Sequence, residues 1–341
     1  MRLSEVHAQS AAVRALGSSI SHASVAHAYL FCGPRSCGKT TTALAFASAL
    51  NCADPTPEGD ACGLCMSCLR IQAGNDADVQ LISPDGNQTK MEQMQEMIRS
   101  LNYAPLSGKY RVFIIEQADT LNPSSENCIL KILEEPPPYA VLILLSANPN
   151  SLLPTIRSRC RVVRFSRAST SEIEEVLRRS SELSDDERRV IAACSQGLVG
   201  KAISGASGSE FMEERQAVLE ALKAWADGPP VMGLRTAEII RKLAEPKKND
   251  PDERTRIRRL TEILDHVLSW YSDLLSMKVG GGQRINVDYN DDLADQVGRY
   301  GIGRLRRAIR SIMDTRRYLE GNITPQLALE NLFFDLRPDS A

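Results

Sequence analysis

The 341-residue chain contains no apolar run long enough to cross a bilayer, and its opening, MRLSEVHAQS, lacks the features of a secretory signal. Both absences lead to the expectation of a cytoplasmic protein with no membrane partner. Net charge is also nearly absent. Forty-one lysines and arginines face 43 aspartates and glutamates, so any contact with nucleic acid must come from a local patch rather than from the field of the whole molecule. Aromatic residues make up only 5% of the chain, and the C-terminal region has too few to stack bases, which argues against single-strand binding there. There is no internal repeat and no low-complexity tract. The nine cysteines are an odd number, and in a reducing compartment they do not form a disulfide framework.

What is present describes a soluble globular protein of two or three domains, with 43% apolar and 25% charged residues. Up to about residue 166, strand-like runs alternate with helical patterns: AYLFCG, DVQLIS, RVFIIE, AVLILLSA and CRVVRF, with KTTTALAFASAL and SSENCILKILEE between them. Near-continuous apolar runs suit parallel strands buried on both faces, so the fold class expected is an α/β layered domain. After Phe165 the pattern is helical. Ser169 with Glu172, and Ser184 with Glu187, have capping-box spacing. SGASGSE at 204–210 reads as a linker, and EPKKNDPDERTR and KVGGGQRIN read as loops in a wholly helical last region. The expected domains are 1–166, with a cysteine insertion at about 50–70, then 167–207, then 208–341.

Gly33-Pro34-Arg35-Ser36-Cys37-Gly38-Lys39-Thr40 fits G-x-x-x-x-G-K-[ST] at every specified position, between a strand and a helix. Its glycines allow backbone N–H groups to turn around phosphates. Lys39 would reach the β- and γ-phosphates, Thr40 would ligate magnesium, and Thr41 would follow in the first helical turn, whose positive end faces the anion. ATP or ADP with Mg²⁺ is the ligand implied. The metal-side acid expected at the end of a second strand is Glu116, in RVFIIEQADTL, with Asp119 as the alternative if the register differs. Gln117 then occupies the general-base position, and an amide can orient a water but cannot take its proton. Binding is expected and hydrolysis is not.

Cys52, Cys62, Cys65 and Cys68 give C-x9-C-x2-C-x2-C within seventeen residues. That spacing suits a closed tetrahedral zinc site of structural type; a redox pair and an iron–sulfur cluster are the alternatives. Cys32, Cys37, Cys128 and Cys194 read as small hydrophobes in the core.

HAYLFCGPRSCGKTT, the cysteines after the first helix, LKILEEPPPYAVLILLSANPNSLLPTIRSRC and GNITPQLALENLFF together resemble the bacterial replicative clamp loader, a family of the AAA+ class, over essentially the whole chain. The resemblance implies a P-loop AAA+ domain, a small helical lid and an all-α collar through which loader subunits associate. Partners implied are gamma/tau and delta subunits in a hetero-pentamer, and through the complex the sliding clamp and primed DNA. The sequence resembles the delta-prime type more than the gamma/tau motor. Glu116-Gln117 replaces Asp-Glu, Ala147 stands at the polar-sensor position with Ser146 and Asn148 beside it, and Gly200-Lys201 stands where motors carry a lid arginine. Arg159, in the triplet Ser158-Arg159-Cys160, is by resemblance the residue given to a neighbour's nucleotide, and Cys160 is expected to pack behind it; an ordinary salt bridge is the other reading of Arg159. Arg157, Arg161 and Arg164 make the same corner basic. GIGRLRRAIRSIMDTRRYLEG places Leu305, Ile309, Ile312 and Met313 on one helical face, with Arg304, Arg306, Arg307, Arg310, Arg316 and Arg317 mostly elsewhere. Three functions fit: a loader assembly subunit, an ATP-hydrolysing motor of the same loader, and a stand-alone zinc-containing nucleotide-binding regulator.

Overall fold

The computed structural model describes residues 1–84, 89, 91–101, 103–208, 210–229, 231–245, 253–282, 284–319 and 324–338. The five apolar runs form strands β1 (Ala28–Cys32), β2 (Val79–Ile82), β3 (Arg111–Ile115), β4 (Ala140–Ser146) and β5 (Arg161–Arg164). They make one parallel sheet in the order β2-β3-β4-β1-β5. Helices α1 (Ser10–Ser21), α2 (Lys39–Leu50), α3 (Met66–Gln72), α4 (Met91–Leu101), α5 (Pro123–Glu134) and α6 (Pro154–Arg159) accompany it.

Side chains alternate across the sheet, as the period of two requires. Tyr29, Phe31, Val112, Ile114, Val141, Ile143 and Leu145 enter one core layer with α1 and α2, while Leu30, Phe113, Ile115, Leu142 and Leu144 enter the layer of α4, α5 and α6. Because both faces are covered, the three central strands are apolar at nearly every position. The edge strands β2 and β5 depart from the expectation of full burial. Among the described residues each has a neighbour on one side only, and Leu81 and Val162 are exposed.

Local chemistry sets the helix starts. Asn122 caps α5 by accepting from Ser125 N at 2.8 Å, with Pro123 at the first helical position. Helices α7 (Thr170–Ser180) and α8 (Asp185–Ser195) open on the two expected boxes, where Ser169 and Ser184 exchange hydrogen bonds with Glu172 and Glu187. Helix α9 (Val199–Ala206) takes up the start of the linker expected at 204–210, with Gly205 buried inside it. Helices α10 (Glu210–Asp227), α11 (Met232–Leu243), α12 (Glu253–Val279), α13 (Asn290–Val297), α14 (Ile302–Leu319) and α15 (Pro325–Asp335) follow. Residues 246–252 of the expected charged loop and 321–323 of GNIT lie outside the described residues, while the glycine-rich loop begins as expected where α12 ends.

The chain divides into two compact units, one of Met1–Val176 with Gly197–Lys201 and one of Leu177–Gln196 with Ala202–Ala341. The second has its own core around Trp225, Trp270, Tyr271 and Phe333. Arg215, almost fully buried there, donates twice to Asp288 at 2.6 and 2.7 Å and once to Asn286, so its charge is compensated.

Candidate functional site

β1 comes first in the chain but lies between β4 and β5, so the loop leaving its C-terminal end opens where the strand order reverses. The exit is tight. Phe165 N donates to Cys32 O at 2.7 Å, and a Cβ on Gly33 would lie 2.5 Å from the Phe165 carbonyl oxygen. Ser36 at φ 59° and Gly38 at φ 96° then take left-handed conformations that curl the loop into α2. Lys39 is buried, and its Nζ donates to the carbonyls of Gly33 and Pro34 at 2.6 Å each. Burial lowers its pKa.

Thr40 Oγ1 donates to Glu116 Oε1 at 2.8 Å, and Ser83 Oγ donates to the other carboxylate oxygen at 2.8 Å. Of the two acids left open by the sequence, Glu116 is therefore the one beside the Thr40 hydroxyl. Asp119 accepts from Ala147 N at 3.0 Å and ties its segment to the end of β4. Gln117 has φ 47°, and its Oε1 accepts from Arg35 Nη2 at 3.3 Å. Cys37 is fully buried behind the loop and Thr41 is exposed on α2. Gly200 N donates to Ser36 O at 2.8 Å, setting the start of α9 on the loop.

The four cysteines converge. Their sulfur atoms all lie within 4.8 Å of one another, with Cys52–Cys65 at 3.9 Å and Cys68–Cys52 at 3.7 Å. Zn–S bonds of about 2.3 Å at tetrahedral angles require sulfurs about 3.8 Å apart, so the donor set fits that ion. The amides of Leu64 and Cys65 donate to Cys62 Sγ, and that of Cys62 donates to Cys52 Sγ. Burial pushes the Cys68 thiol up to about 12. At Cys65 burial acts the same way, but hydrogen bonds from the backbone at Ala53 and Cys68 outweigh it and bring the thiol to about 6. The N-terminus braces this module through Asp60, which accepts from Leu3 N and Ser4 N, and through Arg2 Nη2, which donates to Cys62 O at 2.6 Å.

Arg159 ends α6, just before β5. Arg161 is in register with Tyr29, at the opposite end of β1 from Gly33, and four steps of about 3.3 Å separate the two levels by about 13 Å. The guanidinium donates to Thr155 O at 3.2 Å and to Glu134 Oε1 at 3.0 Å, both on the surface. Cys160 is buried behind it, and burial pushes its thiol up to about 12. Nearby, Arg157 donates to Asn150 at 2.8 Å and Arg161 to Ser24 O at 3.4 Å.

In α14, Leu305, Ala308, Ile312, Thr315 and Leu319 face the core and Ile309 packs beside them, but Met313 is exposed, which corrects its expected place on the buried face. It follows Ile312 by one residue, about 100° around the helix. Arg316 pairs with Asp265 at 2.6 Å and Arg304 donates to Arg337 O, whereas Arg306, Arg307, Arg310 and Arg317 are exposed. Cys37 and Cys194 are buried as expected; Cys32 and Cys128 are half-buried against the core.

Sequence reasoning missed several residues that shape the site. Gln9 donates to Cys37 O at 3.2 Å and Ser166 O at 2.8 Å, joining the loop to the chain after β5. Ser83 and Asp60 likewise act across long sequence separations. None belongs to a local motif, and only the topology brings them in.

Two family models match. One, described as DNA polymerase III, delta subunit, covers residues 8–169, and one described as the C terminal of DNA polymerase III, delta subunit, covers 209–337. The chain is 26% identical over 329 residues to DNA polymerase III subunit delta' of Bacillus subtilis, covering 95% of both chains. It is 39% identical over 134 residues to subunit gamma/tau of Mycobacterium tuberculosis, but spans only 23% of that protein's length. The fold resembles that of a gamma subunit-related protein from Thermotoga maritima, with TM-score 0.54, 16% identity, and 96% and 98% of the two chains covered. No helix among the described residues is long and apolar enough to cross a membrane. The P-loop α/β fold and the two profile matches that together span most of the sequence lead to one conclusion: the chain belongs to the clamp-loader subunits of DNA polymerase III.

Proposed function

We propose that the chain is a delta-prime-type subunit that binds ATP or ADP with Mg²⁺ without turning it over efficiently, and that lends Arg159 to the nucleotide of a neighbouring gamma/tau subunit. It does so in a hetero-pentamer with gamma/tau and delta, which loads a sliding clamp onto primed DNA. The observation that carries the reading is the position of Arg159 at the end of the sheet away from its own P-loop, solvent-facing and, among the described residues, held by surface contacts to Thr155 and Glu134. A permanently charged planar fork there is of no use to the chain's own phosphates and suits another subunit's. Near-complete coverage of the Bacillus subtilis delta' relative supports the subunit type.

Within the chain's own site, Gly33 to Gly38 would wrap the phosphates, Lys39 would exchange its two carbonyl partners for phosphate oxygens, and Thr40 with Glu116 would hold the ion. Gln117 puts an amide at the water-activating position, and Asp119 has one carboxylate oxygen engaged by Ala147 N. Cys52, Cys62, Cys65 and Cys68 would hold zinc, which supplies a structural cross-link and no open coordination position. Residues 167–207 would serve as the lid and 208–341 as the collar.

The motor reading is favoured by one observation, the intact Thr40–Glu116 contact beside a complete P-loop. ATP turnover by the purified chain separates the two. The subunit proposed here binds nucleotide and turns it over far more slowly than the loader assembled with gamma/tau; turnover by the chain alone at the assembled rate would overturn the proposal.

A further inference from the structure

The open edge of the sheet, along β5, raises a question independent of the function proposed above. In the pairing of β5 with β1, Phe165 N donates inward to Cys32 O, so Val162, Arg164 and Ser166 turn their N–H and C=O groups outward. At Ser166 that outward pair is already satisfied by a peptide-like group. The Gln9 carboxamide donates to Ser166 O at 2.8 Å and accepts from Ser166 N at 3.3 Å. Val162 and Arg164 continue the same row, with no strand beyond them among the described residues. Beside the row runs a groove of about 270 Å³ between α1 and β5, walled by Ala11 and Ala15 and floored by Leu16, Tyr29 and Val163. Two hydrogen bonds link residues flanking α1 to β5 and the chain after it: Gln9 to Ser166 O and Arg161 to Ser24 O.

We infer that this edge accepts an extended acidic segment of another polypeptide by strand addition. Backbone pairing at Val162 and Arg164 would supply binding, and alternate side chains would supply selection. One set enters the alanine-walled groove, which fits small aliphatic residues. The other lies on the opposite face beside the exposed Val162 and Arg164, where a guanidinium favours carboxylates. Arg161 and Arg164 also disfavour self-pairing of two such edges, because like charges would meet.

The probe is a fluorescein-labelled octapeptide alternating valine and glutamate, titrated against the full chain by fluorescence anisotropy, with a valine–lysine peptide and a block peptide of four valines then four glutamates as controls. The alternating acidic peptide is expected to bind best, and to slow hydrogen exchange at the Val162 and Arg164 amides. Val162→Pro removes one outward donor and is expected to weaken binding about five- to tenfold. Arg164→Glu and Ala15→Phe are expected to weaken it at least as much while leaving the strand's donors in place, and they decide the matter if the proline variant does not fold. Equal affinity for the block or lysine peptide, or indifference to Arg164→Glu and Ala15→Phe, would overturn the inference. So would concentration-dependent dimerisation through this edge, lost in Arg164→Glu, since that would assign it to a second copy of the chain.

Discussion

Replacing Arg159 by alanine separates a structural arginine from an exported one, because the structure bounds the first effect. The side chain's partners in the chain are Thr155 O at 3.2 Å and Glu134 at 3.0 Å, with side-chain exposures of 37% for Arg159 and 54% for Glu134. An ion pair of that exposure contributes about 0.2–1 kcal/mol. Arg159→Ala should therefore lower the chain's unfolding free energy by about 1 kcal/mol or less, and leave its nucleotide affinity unchanged. Arginines supplied in trans to nucleotidases contribute about 10³- to 10⁵-fold in rate. The loader reconstituted with the variant should lose essentially the whole turnover of the site that faces this subunit. Engagement also requires the Glu134 pair to open, at a cost of at most about 1 kcal/mol, or fivefold in population. Glu134→Gln should thus preserve loader ATPase or raise it by up to about fivefold. The assays are urea unfolding of the chain and clamp-stimulated ATPase of the complex. An unaffected ATPase in Arg159→Ala would refute the reasoning. Equal losses in Glu134→Gln and Arg159→Ala would also refute it, by showing that the pair itself is what matters.

Three further outcomes test other parts of the structure. Elemental analysis should give one zinc per chain, and Cys65→Ser should release it with loss of thermal stability; a zinc-free parent with four free thiols and an unchanged melting curve would remove the metal. Gly33→Ala should destabilise by about 1–3 kcal/mol or more, because its Cβ would sit 2.5 Å from the Phe165 carbonyl oxygen and neither strand can move freely; thermal unfolding checks this. At Asp78, burial acts to raise the pKa, but hydrogen bonds from Gly108, Leu106 and Ser107 outweigh it and hold the carboxyl below its usual value. Its stabilisation is therefore complete above the unfolded value of about 3.9 and is lost as pH falls through the lower folded value, so Asp78→Asn should destabilise at pH 7 and flatten the acid limb of a urea-unfolding series.

The parts of the fold readable in advance were those written in local period and local chemistry. All five strands and the first helix after the loop followed from apolar runs and from the glycine pattern, most completely in the three central strands, which leave almost no exposed position to interrupt them. The cysteine set was readable because metal-type spacing carries the geometry in the sequence itself. The failures have physical causes too. Val162 reads as core by composition but lies on an edge, and edge position is a property of strand order. Met313 reads as part of an apolar face, yet the buried face of α14 turns on Ala308 and Thr315, small residues that hydropathy ranks low. Gly205 reads as linker but sits inside α9. Gln9, Ser83 and Asp119 act through long-range hydrogen bonds and leave no pattern along the chain.

The choice between a subunit that holds nucleotide and one that spends it comes down to Gln117. Its backbone is left-handed and its amide oxygen is engaged by Arg35, so the side chain is directed toward the loop side of the sheet with a cation beside it. A carboxylate at that position could accept a proton from water, and positioned general bases contribute about 10²- to 10⁴-fold in rate. The remaining acid of the segment, Asp119, gives one oxygen to Ala147 N. Gln117→Glu should accordingly leave nucleotide affinity within about threefold, since the phosphate cradle and Lys39 are untouched, and should raise single-chain turnover measurably above the parent. Arg35 limits the gain by pairing with the new carboxylate, so Arg35→Ala in the same chain should increase it further. A parent that already hydrolyses ATP as fast as Gln117→Glu would show that the amide is no barrier and that this chain carries out its own chemistry.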